Sequence, residues 1–317
     1  MKIAVILFNL GGPDSLDAVQ PFLRNLFSDP AIISLPAWLR LPLARFIASR
    51  RTPKAIGIYE KIGGGSPILG QTEAQARALE EALGSEHEWR GYVCMRYWHP
   101  MTERVVQSVH RFAPDRIVLL PLYPQYSTTT TASSFDAWKK AVTFKVPMVE
   151  IESYPTEPGF IRASIEMVKQ GLAEVPEMPV RVLFSAHGLP EKVIKRGDPY
   201  QRQVEETAAA IAQHLDGVDW SVCYQSRVGP LKWIGPSTEA EIRRAAADGK
   251  SIVLYPLSFV SEHSETLVEL DIEYRHLAEQ AGVTKYVRVP AVGTHPQFIH
   301  GLANLVRAAL STQSTAA

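Results

Sequence analysis

Val180-Arg181-Val182-Leu183-Phe184-Ser185-Ala186-His187-Gly188-Leu189-Pro190 is a short apolar run that ends on a histidine and a glycine turn. A similar run, Val5-Ile6-Leu7-Phe8-Asn9-Leu10-Gly11-Gly12-Pro13, stands near the start of the chain, and aligning Phe8 with Phe184 sets an offset of 176. Three more units repeat in the same order. Val93-Cys94-Met95-Arg96 matches Val222-Cys223-Tyr224-Gln225 at offset 129, and Ile117-Val118-Leu119-Leu120-Pro121-Leu122 matches Ile252-Val253-Leu254-Tyr255-Pro256-Leu257 at 135. Tyr154-Pro155-Thr156-Glu157-Pro158-Gly159-Phe160-Ile161 matches Val292-Gly293-Thr294-His295-Pro296-Gln297-Phe298-Ile299 at 138, sharing Thr, Pro, Phe and Ile. A constant order over four units reads as a duplicated domain.

Each apolar strand is followed by a loop and a helical pattern, which predicts an α/β protein with a parallel sheet and crossover helices in each half. The halves are expected over 1–176 and 177–317, with the C-terminal helix free to pack back on the first. In such sheets ligands lie beyond the carboxyl ends of the strands, where Asn9, Arg96, Tyr123 to Thr131, His187, Gln225 to Arg227 and Phe259 to Glu265 fall, so a site between the domains is expected. The first offset exceeds the others by about 40 to 47 residues. The first half therefore carries an insertion, about 29–70. Its apolar members Leu35, Trp38, Leu39, Leu41, Leu43, Phe46 and Ile47 are interleaved with Arg40, Arg45, Arg50 and Arg51. That composition suits an interfacial amphipathic helix, and equally a helical hairpin packed on its own domain.

Composition excludes several classes. The 317 residues suffice for two domains with sizeable cores. Lys+Arg and Asp+Glu both number 33, so the basic field that attaches a protein to nucleic acid is missing. Cys94 and Cys223 each sit in an apolar stretch that reads as a buried strand. Two such residues build neither a disulfide framework nor a four-thiolate iron–sulfur cluster, and a reducing cytoplasm fits. Met1 to Phe8 runs into Asn9-Leu10-Gly11-Gly12 without a small-residue cleavage site and is read as a first strand. Ala31 to Ser49, the most apolar longer segment, is interrupted by Arg40 and Arg45 and expected to break at Pro36 and Pro42, so no membrane span is expected.

His187 directly follows its strand, which places an imidazole at the strand end, as a base or as a packed residue. In Phe259-Val260-Ser261-Glu262-His263-Ser264-Glu265-Thr266-Leu267-Val268-Glu269-Leu270-Asp271-Ile272-Glu273-Tyr274, the residues Leu267, Leu270, Tyr274 and Leu277 make a helical apolar stripe. Glu262, Glu265, Glu269 and Glu273 fall opposite. Like charges four apart oppose a helix by roughly 0.2–0.5 kcal/mol per pair, so the row is either a solvated face or a conduit for protons or a hard cation. Ile62-Gly63-Gly64-Gly65-Ser66-Pro67 lacks the Gly-Lys-Ser/Thr of a phosphate loop. Arg50-Arg51-Thr52-Pro53-Lys54 upstream suits the carboxylates of an amphipathic ligand, or is a solvated basic turn. Pro121 to Thr131 is a hydroxyl-rich loop able to cap a helix or bond a ligand. Arg96-Tyr97-Trp98-His99-Pro100 and Trp233 add aromatic area suited to a flat apolar ligand.

Over nearly its whole length the chain resembles the ferrochelatases. The resemblance rests on Leu10-Gly11-Gly12-Pro13, Arg51-Thr52-Pro53-Lys54 with Ile62-Gly63-Gly64-Gly65-Ser66-Pro67, Arg96-Tyr97, Pro124-Gln125-Tyr126-Ser127, Ser185-Ala186-His187-Gly188-Leu189-Pro190, Tyr224-Gln225-Ser226, Val228-Gly229-Pro230, Trp233-Ile234-Gly235-Pro236 and Ser261-Glu262-His263-Ser264-Glu265-Thr266-Leu267. It implies two similar Rossmann-like domains with parallel four-stranded sheets around a porphyrin cleft, and insertion of Fe²⁺ into protoporphyrin IX to give protohaem and two protons. His187 is then proton acceptor or metal ligand. Glu265 is its partner across the ring, from the opposite lobe, and Glu262, Glu269 and Glu273 belong to the acidic path. Arg51, Lys54 and Ser66 match propionate contacts; Arg96 and Ser127 join the substrate-binding set; Tyr97, Trp233, Phe259 and His263 match ring-enclosing or supporting residues. The insertion resembles the hydrophobic lip of membrane-associated members, which favours protoporphyrin over coproporphyrin III and a peripheral place on the cytoplasmic face of a membrane. The cysteine-bearing tail of the animal enzymes is missing, so a monomer without an iron–sulfur cluster or tightly bound cofactor is expected, with Fe²⁺ as substrate. The competing readings are coproporphyrin metallation, cobalt insertion into a less oxidised tetrapyrrole, and a tetrapyrrole binder without catalysis.

Overall fold

Apolar runs of six to eight residues, covered on both faces, become parallel strands rather than helices. The computed structural model describes residues 1–176, 179–226 and 231–314, and these form two four-stranded sheets, parallel throughout. The first contains β1 (Lys2–Asn9), β2 (Glu88–Met95), β3 (Arg116–Pro121) and β4 (Met148–Glu150) in spatial order β2-β1-β3-β4. The second contains β5 (Val180–His187), β6 (Asp219–Gln225), β7 (Ser251–Pro256) and β8 (Tyr286–Arg288) in the order β6-β5-β7-β8. The same permutation twice is what a duplication produces.

Ladder register corrects the repeat by one residue. Phe8 lies opposite Cys94 and Pro121, while Ser185 lies opposite Cys223 and Pro256. The equivalent of Phe8 is therefore Ser185, not Phe184. A one-residue slip normally betrays itself by turning apolar residues outward, but both central strands are covered on both faces, so alternation gave no warning. The other offsets stand, and β4 and β8 share the 138-residue spacing of the fourth pair.

Helices α1 (Val19–Phe27), α2 (Ala37–Glu60), α3 (Ile68–Leu83), α4 (Thr102–Phe112) and α5 (Thr131–Ala141) accompany the first sheet, and α6 (Pro158–Ala173) leads to the second. There follow α7 (Glu191–Lys195), α8 (Tyr200–Ala212), α9 (Thr238–Ala247), a π-helix (Glu265–Glu273) running into α10 (Tyr274–Ala281), and α11 (Pro296–Ser314). The chain divides into one unit of Met1–Ser153 with the stretch from Leu302 onward, and a second of Tyr154–Gly301. The division falls earlier than the 176/177 expected because α6 packs on the second sheet. Tyr255 donates to Ser164 at 2.8 Å, and a Cβ on Gly171 would come within 2.7 Å of Val289. Leu302 onward goes with the first unit, where Arg307 Nη2 donates to the carbonyl of Ala82 at 2.8 Å.

Pro36 stands just before α2, but Pro42 and Pro53 lie inside it, so the expected break at Pro42 does not occur. A proline withdraws one backbone donor, and packing on α1 carries the helix through. Ala44, Ala48 and Tyr59 are buried, whereas Trp38 (74% exposed), Phe46 (59%), Leu39, Leu41 and Leu43 face outward.

Candidate active site

His187 ends β5, and β7, which pairs with β5, leads through residues 257–264 into the π-helix that Glu265 opens. Neighbouring strands of one sheet thus deliver both groups. His187 Nδ1 lies 2.9 Å from Glu265 Oε2. The expectation that Glu265 faces His187 across the ring from an opposite lobe is therefore wrong. Both belong to the second unit, and a direct hydrogen bond leaves no room for a macrocycle between them. With Nδ1–H donating to the carboxylate, Nε2 keeps its lone pair for a proton or a metal. The side chains are 37% and 29% exposed, so the pair is reachable.

Electrostatics couple the pair. Burial acts to lower the His187 pKa, but Glu265, and Glu269 behind it, outweigh burial and hold it above its ordinary value. Burial acts to raise Glu265, yet His187 and then His263 bring it well below the usual carboxylate range. His263 donates from Nδ1 to the Ser261 carbonyl at 3.1 Å, and its Nε2 stands 3.8 Å from Glu265 Oε2, a charge neighbour rather than a hydrogen bond. Phe259 packs on the His263 ring with centroids 4.6 Å apart.

The four glutamates do not form one solvated face. Between Glu265 and Glu273 the chain winds as a π-helix, in which Tyr274 N–H bonds five residues back to Glu269 O. The 3.6-residue stripe holds at Leu270, Tyr274 and Leu277, which pack into one core, but not at its start, where Thr266 and Val268 are buried and Leu267 only partly. Glu269 accepts from Ser226 N–H at 2.9 Å, Gln225 Nε2 at 3.2 Å, Tyr274 OH at 3.0 Å and the Ser226 hydroxyl. Burial and the Glu265 charge raise its pKa despite these donors. Ser226 has φ +60°, a left-handed conformation costly for a residue with a side chain, and Glu269 holds it there. Glu262 lies before the π-helix and pairs with Arg288 and Ala291 N–H instead. Glu273 is exposed. Trp233 is half-buried, its backbone bridged to Pro190 just beyond His187.

In the first unit, Asp29 gathers Arg96 Nη2 (2.7 Å), Ser133 Oγ (2.5 Å), Tyr97 OH (2.8 Å) and Ala31 N–H (2.8 Å). These bonds overcome burial and lower its pKa. Tyr97 is 1% exposed and packs among Val19, Phe22, Ala48 and Tyr59, with its hydroxyl on Asp29. Ser127 is buried as well, its hydroxyl bonded to Thr129 N–H and Oγ1, which corrects its place among substrate contacts. Arg51 stacks 5.7 Å over Phe27, Lys54 is exposed, and Ser66 sits against Gly12, where a Cβ would meet it at 2.6 Å. Arg227 and Val228-Gly229-Pro230 lie outside the described residues.

The strand-end imidazole and the helix-opening carboxylate are the two residues the resemblance singled out, here bonded to each other and not set on opposite sides of a ring. The ferrochelatase family model matches residues 2–310. The chain belongs to the ferrochelatase family. It is 57% identical over 311 residues to the ferrochelatase of Caulobacter vibrioides (strain NA1000 / CB15N), covering 96% of this chain and 90% of that one. To the ferrochelatase of Phenylobacterium zucineum (strain HLK1) it is 51% identical, covering 100% and 94%. Among solved structures, SirB from Bacillus subtilis with Fe³⁺ superposes with a TM-score of 0.61 at 13% identity, covering 99% and 98%. CbiX, the terminal enzyme for siroheme biosynthesis in denitrifying bacteria, gives 0.53 at 16%, covering 98% and 99%. At these identities the two show a shared fold.

Ferrochelatase motifs led to His187 and Glu265 and included Ser226 without giving it a role, but they did not lead to Asp29 or Tyr274. Asp29 meets three side chains 67, 68 and 104 residues away in sequence, a pairing no local pattern announces, and Tyr274 reads as apolar until its hydroxyl is seen on Glu269. Both cysteines are buried and free, and burial pushes each thiol up to about 12.

Proposed function

We propose that the chain inserts Fe²⁺ into protoporphyrin IX, forming protohaem and releasing two protons in the last step of haem biosynthesis. The observation that carries this reading is the His187–Glu265 bond. Two pyrrole N–H protons must leave as a dehydrated cation enters, and Nε2 of His187 accepts a proton while Glu265 stabilises the imidazolium that forms. Glu265 and Glu269 then begin a line of carboxylates toward exposed Glu273, a path for protons outward or metal inward. In this reading both groups act from one side of the ring. Arg51, Lys54 and Ser66 are proposed as propionate contacts, with Trp233, Phe259 and His263 around the ring. Neither cysteine is assigned a cluster, and no bound cofactor is invoked beyond the iron consumed.

Mixing the protein anaerobically with Fe²⁺ and each porphyrin, and following loss of porphyrin fluorescence, tests activity and substrate together. Protoporphyrin IX is expected to be metallated faster than coproporphyrin III. The reverse order would reassign the substrate, and no acceleration over buffer with either would leave a binder without catalysis.

The apolar face of α2 is proposed as a lip that rests on the cytoplasmic surface of a membrane and receives the porphyrin there, the protein acting as a monomer. Among the described residues no helix is long and apolar enough to cross a membrane. Withdrawing an apolar side chain from water is worth about 1.5–3 kcal/mol. Trp38→Ser, Leu39→Ser and Phe46→Ser together are expected to lower liposome partitioning at least about tenfold; unchanged partitioning in flotation would refute the lip.

A further inference from the structure

A π-helix is rare and usually limited to a single turn, so nine residues of it at an active site require ties from outside. Entry is still α-like, with Leu267 N–H bonded four back to His263 O at 2.9 Å. By Tyr274 the bond reaches five back. In an α-helix, residues four apart drift by about 40° per step. More residues per turn change that offset, and in the π winding Glu265 meets His187 while Glu269 meets Ser226.

Arg288, at the end of β8, supplies the ties. Its Nη1 bonds Glu262 Oε1 at 2.5 Å, three residues ahead of the π-helix, and its Nη2 lies 3.3 Å from Asp271 Oδ2 within it. Asp271 Oδ1 in turn takes Arg275 Nη2 at 2.5 Å, just past the π-helix, and Arg275 Nη1 donates to Tyr286 O on β8 at 2.8 Å. Arg288 is nearly buried, and a buried pair broken on one side is costly. Both ends of the segment carrying Glu265 and Glu269 are thereby fastened to one edge strand.

We propose that Arg288 is a positioning residue for metallation: by tying Glu262 and Asp271 to β8 it holds the π register that sets Glu265 against His187. Glu262 then serves as an anchor instead of a member of the proton path. The inference rests on the metallation reading, and the test separates the two. Arg288→Gln and Asp271→Asn are compared with the unaltered chain by kcat, by porphyrin affinity without metal, and by the ¹⁵N spectrum of the His187 ring, which reports the Nδ1–H bond to Glu265 without turnover. Both variants are expected to lose between about tenfold and a hundredfold in kcat, to lose that ring signal, and to bind porphyrin within twofold of the unaltered chain. In a Glu269→Gln background, Arg288→Gln should cost less than it does alone. An unaltered chain without metallation sinks the functional reading, and the ring spectrum still judges the positioning. Variants that keep the ring signal and kcat, or that lose kcat additively with Glu269→Gln, overturn the positioning role. Should thermal melts show Arg288→Gln unfolded, Asp271→Asn, which is about one third exposed, decides alone.

Discussion

His187→Ala is expected to abolish metallation, a fall of about 10²–10⁴-fold in kcat, while porphyrin affinity stays within a few-fold. The imidazole is bonded to Glu265 through Nδ1, so proton acceptance falls to Nε2. Alanine removes the acceptor and leaves the Glu265 charge without its main partner. A ring held by apolar contacts and propionate pairing does not depend on Nε2, which is why affinity and turnover should separate. Fluorescence titration without metal measures the first, anaerobic metallation the second. A variant that loses neither would end the catalytic assignment.

Glu265→Gln is the second large effect, expected at about ten- to hundredfold in kcat/KM. A glutamine carbonyl can still accept the Nδ1–H bond, so orientation survives and what disappears is the charge facing the imidazolium, a charged hydrogen bond worth about 1.5–3 kcal/mol. Its signature is the pH profile. Only deprotonated His187 accepts a proton, so kcat/KM rises with pH through the His187 pKa. Glu265 is the foremost influence raising that pKa against burial, and its removal should move the rising limb toward acid. A limb that stays in place or moves toward alkali would mean that Glu265 does not set the base. Stability follows the same linkage. With the imidazole pKa raised, its contribution is full below the unfolded histidine value and fades as pH rises through the folded one. With the carboxyl lowered, its contribution is full above the unfolded carboxylate value and fades as pH falls.

Much of this was legible in order and spacing. Four apolar units in one order announced two parallel sheets, and the excess in the first offset located the insertion before any helix was seen. His187 and Glu265 were legible because each follows a strand, where ligand-binding residues of such sheets gather. Spacing was silent on how they met: separated by 78 positions in sequence, they were expected on opposite sides of a ring, and the pairing of β5 with β7 brings them into one hydrogen bond.

What the sequence determined by itself is the α/β class, the duplication and the residue types at the strand ends, because hydrophobic periodicity and chain order are local and survive without neighbours. Tertiary structure alone decided the equivalence of Phe8 with Ser185 in the repeat, the π-winding of Glu265–Glu273 and the separate partners of Glu262, Glu265 and Glu269. An α-helix and a π-helix present the same letters. The difference between them lies in side chains outside the segment, Arg288, Arg275 and Ser226, whose hydrogen bonds make the rarer winding the stable one.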